Sequence, residues 1–242
     1  MRGCLQEIWS IRPETGFLVG LAVGVVMLSL WVSRLRDFPG RDAFIITHMG
    51  MLWWLVMAAL ELAAPTFSCK ILIATLAWPG VMATAMFWCA FLCQLATSSH
   101  ARLGFRRIWP LMLAIATGSG LAVTNPWHGW LYGPGTRLAA QARDAQIIFD
   151  HGPLFDVLVI IHYAFLGFGI LMVLRAVLMC TGDRCGYLRL SLALTLFPIV
   201  VNLSYVLGDF MLFGFDPTPF SFVVTLVGFT WLITNAFEDV GG

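Results

Sequence analysis

Residues 52–70 read LWWLVMAALELAAPTFSCK, and they decide which solvent surrounds this chain. An unbroken apolar run leads up to Glu61, which stands one helical turn short of Pro65; Lys70, the only lysine in the chain, follows just past the turn. A carboxylate is costly in lipid. Ionisable groups within membrane helices usually face the bundle interior or a water-filled cavity and mark a functional site. Glu61 therefore reads as a site residue, with a shallow placement in reach of water as the competing reading.

The rest of the chain agrees about the solvent. Of 242 residues, 60% are hydrophobic and 11% charged, with a mean hydropathy of +0.86. An ordinary soluble domain has about half apolar and about a quarter charged residues. The formal net charge of +1 gives no sign of a nucleic-acid partner. Arg2, Glu7, Arg12 and Glu14 interrupt the first sixteen residues, and no small-residue cleavage site follows the first apolar run. That is not a secretory leader, so the first hydrophobic helix is expected to stay as an anchor.

A hydrocarbon core roughly 30 Å thick needs about twenty apolar residues to cross it. Seven segments qualify, near 17–33, 43–64, 69–96, 108–124, 153–178, 187–213 and 219–236. The expected fold is an all-α, seven-transmembrane helix bundle. Pro79 in the third segment and Pro198 in the sixth should bend their helices.

Orientation follows from the arginines in the short loops. Arg34, Arg36 and Arg41, then Arg102, Arg106 and Arg107, then Arg175, Arg184 and Arg189 all fall on one side, expected to be the cytoplasm. The N-terminus is then outside and the C-terminus cytoplasmic. The expected layout is an external segment 1–16, the bundle over 17–236 and a cytoplasmic stub 237–242. Trp127, Trp130 and Tyr132 form an aromatic belt at the outer end of the fourth segment.

The acids are distributed unevenly. Glu61, Asp156 and Asp209 fall in the outer parts of the second, fifth and sixth segments, with Asp216 just beyond, and no acid lies in the inner half of any segment. A proton or ion path would carry ionisable groups through the whole depth. This pattern suits a pocket open to the outside. Asn202, Tyr205 and Asp209, spaced by three and four, share one helix face that should point inward. Such groups either contact a ligand or hydrogen-bond between helices.

The loop 125–152, rich in Pro and Gly at its start, is the longest connection and is expected to form a partly ordered lid over the outer mouth. His128 and His151 stand at its ends, but isolated loop histidines are usually solvated or hydrogen-bonded, and no metal site is expected. The cysteines at 4, 69, 89, 93, 180 and 185 show no zinc or haem spacing and read as small hydrophobes. A Cys4 to Cys69 disulfide is sterically possible.

Several landmarks occur in a telling order: Trp53-Trp54 to Glu61, Lys70, Trp78-Pro79, the aromatic stretch from Phe87 to Phe91, Thr124-Asn125 with His128, Gly152-Pro153, Tyr163, the set Pro198, Asn202 and Tyr205, and Asp216-Pro217-Thr218-Pro219. Together they resemble the seven-transmembrane sensor region at the N-terminus of many bacterial histidine kinases, found also on diguanylate cyclases. The resemblance runs from about the second segment to the end. It implies a multi-pass receptor of the bacterial inner membrane, acting as a homodimer, that takes an external small-molecule signal and passes it to a cytoplasmic kinase or cyclase domain. That output domain is expected beyond residue 242, and no catalytic residue or cofactor is expected in this chain. The candidate ligand-binding positions are Glu61, Lys70, Asn125, His128, Asp156, Asn202, Tyr205, Asp209 and Asp216.

Other functions fit less well. A transporter or channel would show paired broken helices in two inverted halves, and seven segments do not divide so. A retinal protein needs a lysine within the bundle, and the seventh segment has none. No nucleophile elbow or metal-binding helix motif marks an enzyme. A structural subunit of a membrane complex remains as an alternative. Glu61 itself poses a choice: paired with Lys70 it would be a clamp, and unpaired it would meet a cation, a proton or a polar ligand.

Overall fold

The computed structural model describes residues 12–35, 37–139, 146–182, 184–208, 210, 212 and 216–238. In chain order the elements are α1 (Pro13–Arg34), α2 (Arg41–Ala63), α3 (Phe67–Leu76), α4 (Trp78–Ala96), α5 (Phe105–Val123), the single turn α6 (Asn125–His128), strands β1 (Arg137–Leu138) and β2 (Ile147–Ile148), then α7 (Pro153–Met179), α8 (Arg184–Gly208) and α9 (Thr218–Glu238). Six segments are long and apolar enough to cross a membrane, with α3 and α4 counting as one, and Ile108–Val123 within α5 is a shorter apolar helix.

The distribution of apolar surface settles the solvent. The most apolar window, in α7, has a mean hydropathy of 2.5, yet only 22% of it is buried inside the protein. Leu171 and Leu178 on this helix are 63% and 77% exposed. In water such a helix would seek the core; a helix that is apolar all round and still faces outward has lipid as its solvent. The protein is an all-α, multi-pass membrane bundle. Several buried hydroxyls turn back onto their own helices, as lipid favours: Thr47 donates to the Ala43 carbonyl at 2.9 Å and Thr84 to that of Gly80 at 2.7 Å.

The stretch 52–70 forms the turn between α2 and α3 for local reasons. Ala64, which precedes Pro65, is extended at φ −63° and ψ 137°, as a residue before proline prefers. Thr66 then caps α3, its hydroxyl accepting from the Cys69 amide at 3.3 Å. The third expected segment is two helices with a break at Ala77. Pro79 falls in the first turn of α4, where its missing N–H costs no helical bond. Pro198 lies inside α8, which continues through it. That helix ends at Gly208, short of the expected residue 213.

The helix α4 is the centre of the bundle. One apolar cluster joins α1, α2, α4, α7 and α9 around an aromatic hub in which Phe44 lies 4.7 Å from Phe91 and Trp88 lies 4.9 Å from Phe229. A second cluster joins Trp78, Met82 and Phe87 to Ile115 of α5, Leu131 and Leu158 of α7. The two helices of the pair α2 and α4 approach backbone to backbone. A Cβ on Gly80 would lie 2.6 Å from the Gly50 oxygen and 2.8 Å from the Trp54 nitrogen, so only glycine permits this crossing.

The bundle has two chemically distinct ends. At one, the segment between α6 and α7 folds into a hairpin beside the α2–α3 turn. At the other gather the arginines, two of which hold backbone carbonyls: Arg41 donates to Ser33 at 2.7 Å, and Arg184 donates to Ala96 at 3.0 Å, tying the start of α8 to the end of α4.

The reading of the cysteines as free hydrophobes holds for Cys89 and Cys93. It fails for Cys180 and Cys185, which form a disulfide with their Cα atoms 5.4 Å apart. The short reversal between α7 and α8 brings them into bonding range, a closeness that spacing alone does not reveal. Cys69 is disulfide-bonded as well; Cys4 lies outside the described residues.

Candidate functional site

At the hairpin end, Lys70 is 1% exposed, and its ammonium donates to the carbonyls of Glu61 at 2.8 Å and Leu62 at 3.1 Å. These carbonyls belong to the last turn of α2; the Glu61 carbonyl also accepts from the Ala64 amide at 3.3 Å, whereas the amide that would follow for Leu62 is lost because the helix ends at Ala63 and Pro65 has no N–H. The lysine does the work of a C-cap. The Glu61 carboxylate accepts no hydrogen bond among the described residues, although it is within electrostatic reach of Lys70 and Tyr132. The clamp is therefore made through the Glu61 backbone, and its side chain is left for other partners.

The hairpin is held by its own side chains. Asn125 accepts from the amides of Leu131 at 2.8 Å and Tyr132 at 3.1 Å, and donates to the Tyr132 carbonyl at 3.2 Å. His128 accepts at Nδ1 from the Trp130 amide at 3.0 Å, which places its proton on Nε2, 3.1 Å from the Leu121 carbonyl. The ladder runs from Tyr132 opposite His151 to Arg137 opposite Ile148 and Leu138 opposite Ile147. Asp150 accepts from the Gly135 amide at 2.9 Å; a Cβ on Gly133 would lie 2.5 Å from the same carboxylate oxygen. The expected lid is thus an ordered hairpin where it is described, and residues 140–145 lie outside the described residues.

Aromatic rings join this hairpin to the bundle. Trp78 at the start of α4 donates its indole N–H to the Tyr132 hydroxyl at 3.1 Å. Tyr132 lies 4.5 Å from Phe149, and His151 stacks on Phe155 at 3.7 Å with 10° between the ring planes. Burial pushes the Tyr132 phenol above its usual range; the Trp78 hydrogen bond opposes this and the Glu61 charge adds to it. Burial lowers His151, against the raising effect of Asp156 and Asp150. Of the expected aromatic belt, Trp127 and Trp130 face outward at 85% and 56% exposure. Tyr132 turns inward.

A second polar assembly links three spans. Tyr163 on α7 donates to Oδ1 of Asn202 on α8, and the Asn202 amide donates to the Thr218 hydroxyl at 2.8 Å. Thr218, at the start of α9, donates through both its hydroxyl and its amide to Oδ1 of Asp216. Every donor in this chain has one acceptor, so the direction of the bonds is fixed from α7 to the α9 terminus. Burial holds the Asp216 carboxyl above the usual carboxylate range, and the two bonds from Thr218 oppose that.

The candidate positions divide into distinct groups. Glu61, Lys70 and the hairpin residues Asn125 and His128 share one end with Asp156, which is exposed in the first turn of α7. Asn202 and Asp216 belong to the α7–α8–α9 chain; Tyr205 is half-buried on α8, close enough to act electrostatically on Tyr132. Asp209 lies outside the described residues. Tyr132, which the sequence places in the lipid belt, and Thr218, which carries the link to Asp216, are the side chains that sequence reasoning did not put at the site. Only the Asp216-Pro217-Thr218-Pro219 run hinted at the second.

Residues 16–236 match the family described as the N-terminal 7TM region of histidine kinase. The chain belongs to this family. It is accordingly a membrane sensory domain, and its seven apolar segments are those of the family's 7TM region. No curated protein matches the chain.

Proposed function

We propose that this sensory domain binds an external small molecule at the hairpin end and relays its presence to a cytoplasmic histidine kinase or cyclase domain, as a homodimer in the bacterial inner membrane. The hairpin end then faces outside, with the arginine end and the C-terminus in the cytoplasm, as the arginine distribution favours. The observation that carries the reading is the Glu61 carboxylate, which accepts no hydrogen bond among the described residues while Tyr132, Lys70 and the hairpin close around its level. A polar or cationic group of a ligand would satisfy it. The relay runs through the chain from Tyr163 to Asp216, because it couples α7 and α8 to the start of α9, the last span before the cytoplasm. A ligand shifts that equilibrium only by binding one arrangement of the helices more tightly than another.

A fusion of this domain to a cytoplasmic reporter kinase tests the reading. Glu61→Gln and Asp209→Asn should weaken the response to an external extract or compound library while leaving the amount of folded protein unchanged. Full response from both variants would place the ligand elsewhere.

A further inference from the structure

Disulfides occupy both ends of this bundle. Cys69 lies in the first turn of α3, at the hairpin end, and is bonded; Cys180 and Cys185 close the turn between α7 and α8, at the arginine end. A membrane separates the two ends. An oxidising compartment sustains disulfides, whereas the cytosol keeps thiols reduced, so the two bonds cannot share one redox environment whichever way the protein is inserted. With the orientation proposed above, on which this inference rests, the pair facing the cytosol is Cys180 and Cys185.

We propose that Cys180 and Cys185 form a reversible redox site, a dithiol in the reducing cytosol that closes to the disulfide by exchange with the disulfide of a low-molecular-weight thiol such as glutathione. Both residues are half-buried in a turn whose neighbours Thr181, Gly182 and Arg184 are exposed, so a small disulfide reaches them. Cys185 stands in the first turn of α8, a helix of 25 residues, and a helix N-terminus favours the thiolate, the attacking species. The Cys185 thiolate attacks one sulfur of the external disulfide, forming a mixed disulfide and expelling one thiolate. The Cys180 thiolate then attacks Cys185 Sγ, forming the internal bond and expelling the second. Two electrons pass from the pair to the external disulfide, which leaves as two thiols together with the two protons.

The bond acts on a contact beside it. Arg184, next to Cys185, donates to the Ala96 carbonyl at the end of α4. Closing the turn fixes Arg184 against the bundle's central helix; opening it frees the start of α8. The site thereby places the cytosolic thiol–disulfide balance on the same helix, α8, that carries Asn202.

The test uses the full chain in membranes. Open membranes are equilibrated in glutathione buffers of graded reduced-to-oxidised ratio, quenched, denatured and labelled with a mass-tagged maleimide. The expected result is a cooperative loss of two tags on oxidation, absent from Cys180→Ser/Cys185→Ser, and several-fold faster tryptic cleavage after Arg184 in the reduced form. A pair that stays bonded at cytosolic ratios of reduced to oxidised glutathione, or cleavage at Arg184 that does not change with redox state, overturns the proposal. Labelling sealed cells and inverted vesicles with an impermeant reductant followed by an impermeant maleimide separates the two readings. Labelling of the pair from outside in sealed cells overturns the orientation and the cytosolic redox role together; labelling from inside with no glutathione dependence overturns the redox site alone.

Discussion

Lys70 reaches across the α2–α3 turn and donates to the backbone carbonyls of Glu61 and Leu62, at 2.8 and 3.1 Å, from a position 1% exposed. A cation and a carboxylate nine residues apart suggested an ion pair; the lysine instead completes a helix end, and the acid beside it keeps its oxygens for another partner. The two side chains thus have separable effects. Lys70→Met leaves the buried Leu62 carbonyl without a donor, a cost of about 1–3 kcal/mol, whereas Glu61→Gln breaks no hydrogen bond among the described residues, removes a charge from an apolar helix and should not destabilise the fold. Thermal unfolding of both variants in detergent checks this. Equal losses from the two would mean that they act as one ion pair.

Asn125 uses all three of its bonds on the hairpin backbone at Leu131 and Tyr132. Asn125→Ala strands those groups at a local cost of about 1–3 kcal/mol. Amide exchange at Leu131 and Tyr132 should accelerate by about 5- to 150-fold, with exchange in α2 and α4 unchanged. Unaltered exchange at the hairpin would show that the strand ladder alone holds it.

Tyr163 and Asn202 are in direct contact across α7 and α8. A double-mutant cycle with Tyr163→Phe and Asn202→Leu should give a coupling of about 0.6–2 kcal/mol, the range for hydrogen bonds between membrane helices. If the chain also carries the relay, either single change shifts the reporter's resting output even with ligand absent. Additive losses would remove the bond as a link between the spans.

Asp216 fixes the sign of a pH effect. Burial raises its folded-state pKa above the ordinary 3.8, so the fold prefers the neutral acid. That contribution is fully present below the unfolded pKa and is lost as pH rises through the higher folded value. Asp216→Asn keeps an oxygen for both Thr218 bonds and removes the charge. The variant should match the parent at about pH 4 and unfold at a higher temperature than the parent at neutral pH. A variant that is less stable at neutral pH would show that the carboxylate is stabilised in place.

The architecture was legible in the sequence where the physics is local. Span length depends on a run of apolar residues, and each expected segment has its helix. Pro65 and Thr66 announce the end of α2 and the start of α3 through their own backbone and side-chain preferences. Pro79 announces a bend, and α3 ends at Leu76 with α4 starting at Trp78 beside it. The candidate site was legible only in part: Glu61 and Asp156 lie at the hairpin end, whereas Asp216 is engaged by Thr218 at the start of α9. Asn125 and His128 looked like ligand contacts because they are polar and near the mouth, and the structure shows their polar atoms engaged by the loop that they shape.

By itself the sequence determined the solvent, the succession of spans and the family, because hydropathy and the order of landmarks are properties of the chain read along its length. Only the tertiary structure decided which polar groups meet. Asn202 finds partners 39 and 16 residues away, Tyr132 turns from the lipid toward Trp78, and Cys180 meets Cys185 because the chain reverses between two helices. Lys70 passes over the carboxylate of Glu61 for its carbonyl. In lipid an unpaired polar group has no water to turn to, so each choice of partner is fixed by the angle and depth at which neighbouring helices present their atoms, and those are set by the packing of the whole bundle.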